Sequence, residues 1–83
     1  MEHYYSTKSF QQNCGHSYNI ETYAKMNISK SEVLDLTYAY QDQNDSDIYI
    51  ARYDVLNRSG EVLYTLTVRL KVSTNEYSCH KSV

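Results

Sequence analysis

The stretch Glu61-Val62-Leu63-Tyr64-Thr65-Leu66-Thr67-Val68-Arg69-Leu70-Lys71-Val72 decides the fold class. Val62, Tyr64, Leu66, Val68, Leu70 and Val72 alternate with Leu63, Thr65, Thr67, Arg69 and Lys71. A period of two predicts a strand, because successive side chains along an extended backbone point to opposite faces. One side of this strand is apolar and the other mostly polar. It therefore belongs to a sheet with one face on a core and one turned to solvent or a partner.

Upstream, Ile48–Leu56 reads as a second strand, and Asn57, Arg58, Ser59 and Gly60 as a turn, with Gly60 free to take positive φ. Closing the hairpin about Arg58 and Ser59 sets Val55 opposite Val62, Tyr53 opposite Tyr64, Ala51 opposite Leu66 and Tyr49 opposite Val68, all on one face. Residues 16–28 alternate too, with Tyr18, Ile20, Thr22, Ala24, Met26 and Ile28 on one side, and predict another long strand. A loop at 29–33 would pair Ile28 with Leu34, Met26 with Leu36, Ala24 with Tyr38 and Thr22 with Tyr40. Setting Leu36 against Tyr53 and Tyr38 against Ala51 joins the two hairpins, but leaves Asp35 beside Asp54 on the other face. Residues 3–6 and 77–81 read as short edge strands or unstructured ends.

The fold expected is all-β: one domain over residues 1–83, a small antiparallel meander of four long strands curled into a barrel or sandwich. A competing pattern lies at Ser29, Lys30, Ser31 and Glu32, which match a capping box. Read that way, the chain is α+β with a helix near 31–41. The Val, Thr and Tyr content of that segment favours the strand.

A domain of 83 residues buries only a little over ~60% of the surface its unfolded chain exposes, so a staple or a partner would be useful to it. Net charge −2 and scattered lysines and arginines argue against a nucleic-acid partner, which would meet a clustered basic face. No apolar run approaches the ~18–20 residues that span a bilayer, and residues 1–12 are too polar for a signal peptide. As written the chain is expected to be soluble and cytoplasmic, or exported if Met1 replaces a removed signal peptide.

Cys14 and Cys79 read either as a disulfide closing most of the chain or as free thiols, depending on the redox compartment. Cys14, His16, Cys79 and His80 form the one cluster of soft ligands. As a zinc set its spacing is poor, because Cys79 and His80 are adjacent and would face opposite ways along a strand. Asp42, Asn44, Ser46 and Asp47 imitate the start of a calcium loop, but Asp47 stands where glycine is required and Tyr53 where glutamate is required. Nothing assembles a nucleophile, base and orienting group on a rigid frame. No enzyme activity and no cofactor are expected.

Ten tyrosines supply the aromatic bulk in a chain with one phenylalanine and no tryptophan. Tyr18, Tyr38, Tyr40, Tyr49, Tyr53 and Tyr64 are expected on the apolar face, as core. On the opposite face Ile50 would lie between Ala39 and Thr67, with Ile48 and Tyr23 near it, making an apolar patch. Its cover would be the chain's own Tyr4, Tyr5 and Phe10, a second copy of the chain, or another protein. The expected function is a non-enzymatic protein-binding module of the inhibitor, immunity or adaptor kind. It would act through Tyr23, Ala39, Ile48, Ile50 and Thr67 or by strand addition at an edge. The alternatives are a structural homodimer built on the same patch and a zinc-binding module.

Overall fold

Three runs rich in β-branched and aromatic residues, β2 (Val33–Gln41), β3 (Ile48–Leu56) and β4 (Val62–Lys71), and a mostly polar fourth, β5 (Glu76–Ser82), form the long strands of an antiparallel meander. A three-residue strand, β1 (His3–Tyr5), pairs with the end of β2 and completes the sheet in the order β1-β2-β3-β4-β5. The computed structural model describes residues 3–5, 10 and 15–83. The sheet is open, with β1 and β5 as its edges, and does not close into a barrel. Both chain ends thus supply edge strands, and the four-strand meander stands.

Its membership differs from expectation at two places, one being β5, expected at 77–81 as a short edge strand or unstructured end and found as the fourth long strand. Residues expected as the first long strand form α1 (Ser17–Lys25), which lies across β4 and β5. Ile20, Ala24 and Ile28 are four apart, a spacing that satisfies a two-residue rhythm and a helical turn equally. The discriminating residues are Tyr18 and Met26, which a strand would bury beside Ile20 and Ala24. They are 76% and 77% exposed, while Ser17, Ile20 and Ala24 make one buried helical face. Nine residues are too few for a stable isolated helix in water, so α1 owes its existence to the sheet beneath it. Local pattern carried no such signal.

The capping-box residues start no helix. Glu32 accepts a hydrogen bond from the Ser29 amide at 2.8 Å, and the Glu32 amide donates to the Ser29 carbonyl at 3.1 Å, so the motif closes a turn into β2. The helix expected as the alternative near 31–41 is therefore replaced by strand, and the hairpin expected at 29–33 is replaced by a helix-to-strand turn.

The Gly60 hairpin forms with its register displaced by two residues. Val55 faces Tyr64, Tyr53 faces Leu66, Ala51 faces Val68 and Tyr49 faces Leu70. An even displacement keeps the side chains of these four pairs on their expected face, whereas Val62, expected opposite Val55, pairs with Leu56 and is exposed. The cause is turn chemistry: Asn57 Oδ1 accepts from the amides of Ser59 and Glu61, Gly60 takes φ +85°, and Leu63 is an extra residue between Leu56–Val62 and Val55–Tyr64.

Between β2 and β3 the expected pairs Leu36–Tyr53 and Asp35–Asp54 are present. A bulge at Thr37 then turns the rest of β2 over, so that Tyr38 faces Arg52, Ala39 faces Ala51 and Tyr40 faces Ile50. Thr37 anchors the irregularity by donating its hydroxyl to the Arg52 carbonyl at 2.8 Å. Tyr38 and Tyr40 consequently leave the core face, and Ala39 enters it.

The core lies between α1 and one face of the sheet. Ile20 and Ala24 pack with Ala39, Ala51, Tyr53, Val55, Leu66, Val68 and Leu70, and Phe10 joins them at 1% exposure. Phe10 is therefore part of the covered face, not a cap on the other one. Three of the expected core tyrosines, Tyr49, Tyr53 and Tyr64, are on this face.

Candidate functional site

Alternation along β2 to β5 generates a second face, with no helix or strand of the described residues over it. Its rungs run across the sheet: Tyr40, Ile50, Arg69 and Ser78; Tyr38, Arg52, Thr67 and His80; and, at one end, Ile48, Lys71 and Glu76. Aspartates occupy the other end, where Asp35 faces Asp54. Arg52 and Arg69 thus lie between an end where Asp35 faces Asp54 and an end where Lys71 faces Glu76, in a chain whose net charge is −2.

Aromatic stacking organises the middle of this face. The rings of Tyr38 and Tyr40 stack with centroids 5.9 Å apart and planes 19° from parallel. The Arg52 guanidinium lies 5.8 Å from the Tyr38 ring centre and donates from Nη1 to its hydroxyl at 3.3 Å. That hydroxyl holds Arg52 further above its ordinary pKa, and Asp54 adds to the effect. Ile50 beside them is half-buried, and Ile48 is 5% exposed although it lies outside the core cluster. Around Ile48 a shallow basin of about 320 Å³ is walled by Asp45, Arg69, Lys71, Glu76 and Ser78.

Of the five residues expected at the site, Ile48, Ile50 and Thr67 are on this face. Ala39 is not: the Thr37 bulge puts it opposite Ala51, fully buried in the core. Neither is Tyr23, which the helix carries to the covered side, where its ring stacks on Tyr77 at 5.0 Å. The residues that replace them, Tyr38, Tyr40, Arg52 and Arg69, include two tyrosines that only the bulge could bring there. The arginines were legible, since both occupy polar positions of alternating strands.

Two recesses on the covered side are formed by described residues. A cleft of about 190 Å³ between α1 and the sheet is lined by Phe10, Ser17, Tyr18, Glu21, Leu36 and Tyr53. Burial, reinforced by the Glu21 charge, raises the Tyr53 phenol far above its ordinary value. An open groove of about 450 Å³ follows the end of α1, with Ile28, Val33 and Leu34 on its floor and Lys25 and Lys30 at its rim. Beside it the Ser29 amide lowers the Glu32 carboxyl, which also accepts from the Tyr64 hydroxyl at 3.2 Å.

Cys79 is a half-buried free thiol facing the core opposite Val68, whereas His80 is exposed on the outer face opposite Thr67. The expected bridge to Cys14, and any zinc set that includes Cys14, involve a residue outside those described. His16 is occupied by aromatic packing, its ring 5.1 Å from that of Tyr49. No group of three or more potential metal ligands gathers among the described residues. The acidic turn before β3 uses its carboxylates on the backbone: Asp42 accepts from the Asn44 amide, Asp45 from the Asp47 amide, and Asp47 from the Ser73 amide and hydroxyl. Comparison with protein-family models, with curated proteins and with solved structures finds no match.

Proposed function

We propose that the protein is a non-enzymatic module that binds another protein through the outer face of its sheet, centred on Ile50. The observation that carries this reading is the composition of that face. Two stacked tyrosines, an aliphatic side chain and two arginines lie together over the middle of a rigid sheet, and aromatic residues and arginine are the types enriched at the centres of protein interfaces. Tyr38, Tyr40 and Arg52 hold one another in place before a partner arrives, which limits the entropy lost on binding. The opposite orientations of Cys79 and His80 argue against their acting as a nucleophile and base pair.

The test compares affinity capture by the wild-type chain, by Ile50→Glu and by Lys25→Glu, a change on exposed α1. A partner that binds as proposed is captured by wild type and by Lys25→Glu, and its recovery falls at least roughly tenfold with Ile50→Glu, the effect of losing an interface anchor. Equal recovery by all three chains refutes the reading. Capture lost only with Lys25→Glu would move the site to the helical side.

A further inference from the structure

The edge strand β5 is the second feature of the molecule that invites a partner, and its own residues say which. It pairs with β4 over seven consecutive residue pairs without a bulge, and it contains no proline. A bulge or a proline would protect the edge from further pairing, and the one charge that β5 turns to the covered face, Lys81, is held over the Tyr64 ring, 5.3 Å from its centre. At the far edge β1 is three residues long, too short to add much. Along β5, Tyr77, Cys79 and Lys81 share the covered face with Leu70, Val68 and Leu66, while Glu76, Ser78, His80 and Ser82 share the outer face.

We propose that β5 pairs antiparallel with β5 of a second copy, about a two-fold axis through Ser78 and perpendicular to the sheet. An axis of that kind keeps covered face on covered face, so only residues of the same parity meet. Centred on Ser78, it sets Tyr77 of one copy beside Cys79 of the other and continues the apolar rows that Leu70 and Val68 begin. On the outer face it sets Glu76 beside His80 twice over, a pairing of complementary groups at both ends of the junction. Moving the axis to Cys79 would instead set Glu76 against Ser82 and lose both matches. The product is one continuous ten-stranded sheet with both helices on the same side and the two outer faces side by side. It does not rest on the outer-face reading, whose site remains open in the pair.

The experiment is sedimentation of the full chain across about 1 µM to 1 mM. Reversible dimerisation is expected, with Ser78→Lys raising the dissociation constant roughly threefold to tenfold because like charges then meet at the axis. Ile50→Glu should leave it unchanged. Ser78 is exposed, so the lysine variant should keep the wild-type far-ultraviolet dichroism. Independently, Ser78→Cys in a chain carrying Cys14→Ser and Cys79→Ser should form a covalent dimer under mild oxidation, and Ser82→Cys in the same background should not. A monomer throughout the range overturns the edge pairing and leaves the protein-binding reading standing. A dimer broken by Ile50→Glu and not by Ser78→Lys overturns it in favour of a contact through the outer face. Cross-linking at position 82 with none at 78 also overturns the proposed register.

Discussion

The two faces of β3 use one backbone for opposite ends. On one, Ala51, Tyr53 and Val55 are 0%, 2% and 0% exposed and pack under α1; on the other, Ile50, Arg52 and Asp54 remain half-exposed. The first face is answerable to the fold, since removing atoms from a close-packed interior leaves a cavity that neighbours fill only in part. The second face is nearly free of that obligation. Side chains there can be chosen for what they meet, which is why arginines and stacked tyrosines gather on it and not on the first.

The largest effect that would break this contrast is a core truncation. Leu66→Ala should lower stability by about 2–5 kcal/mol, a substantial part of the roughly 5–15 kcal/mol available to a small domain, read as a shift of the urea midpoint. A loss below about 1 kcal/mol would mean that the covered face is not the close-packed one.

Alkaline titration gives the next effect. Burial raises the Tyr53 phenol above the ordinary value of 10.0, and Tyr64 is raised in the same direction by burial and by Glu32. A raised pKa favours the protonated folded form, so the contribution is complete below pH 10.0 and is lost as pH rises from there towards the folded-state value. Urea midpoints measured between about pH 8 and 11 should fall at the upper end, and Tyr53→Phe should flatten the fall. An unchanged slope in that variant would show that the covered face does not impose the shift.

The smallest expected effect is on the outer face itself. Ile50→Ala should change stability by less than about 1 kcal/mol, because the side chain is only half-buried and no helix or strand of the described residues covers it. A loss as large as that of Leu66→Ala would erase the difference between the faces and with it the case for a surface free to bind.

Several elements are legible in the sequence. The apolar rhythm of β3 and β4 placed Tyr49, Ala51, Tyr53, Val55, Leu66, Val68 and Leu70 on one face, and Ile48, Ile50 and Thr67 on the other, despite a register two residues out. Parity survives a slip of two. The Asn57 side chain, which holds two amides of the turn, and the extra Leu63 set the actual register, and neither shows in an alternation count. The Thr37 bulge was equally silent, with no glycine to mark it, and its consequences reached furthest: it exchanged Ala39 for Tyr38 and Tyr40 at the candidate site.

The amino-acid order alone determined that this chain makes an antiparallel meander with an apolar side, because side-chain direction in an extended backbone depends on nothing beyond position. Tertiary structure alone decided that residues 17–25 coil into a helix, since Ile20, Ala24 and Ile28 fit either rhythm and only the sheet beneath them could select one. Tertiary structure also decided which tyrosines face outward, because a single extra residue in β2 reverses every side chain beyond it.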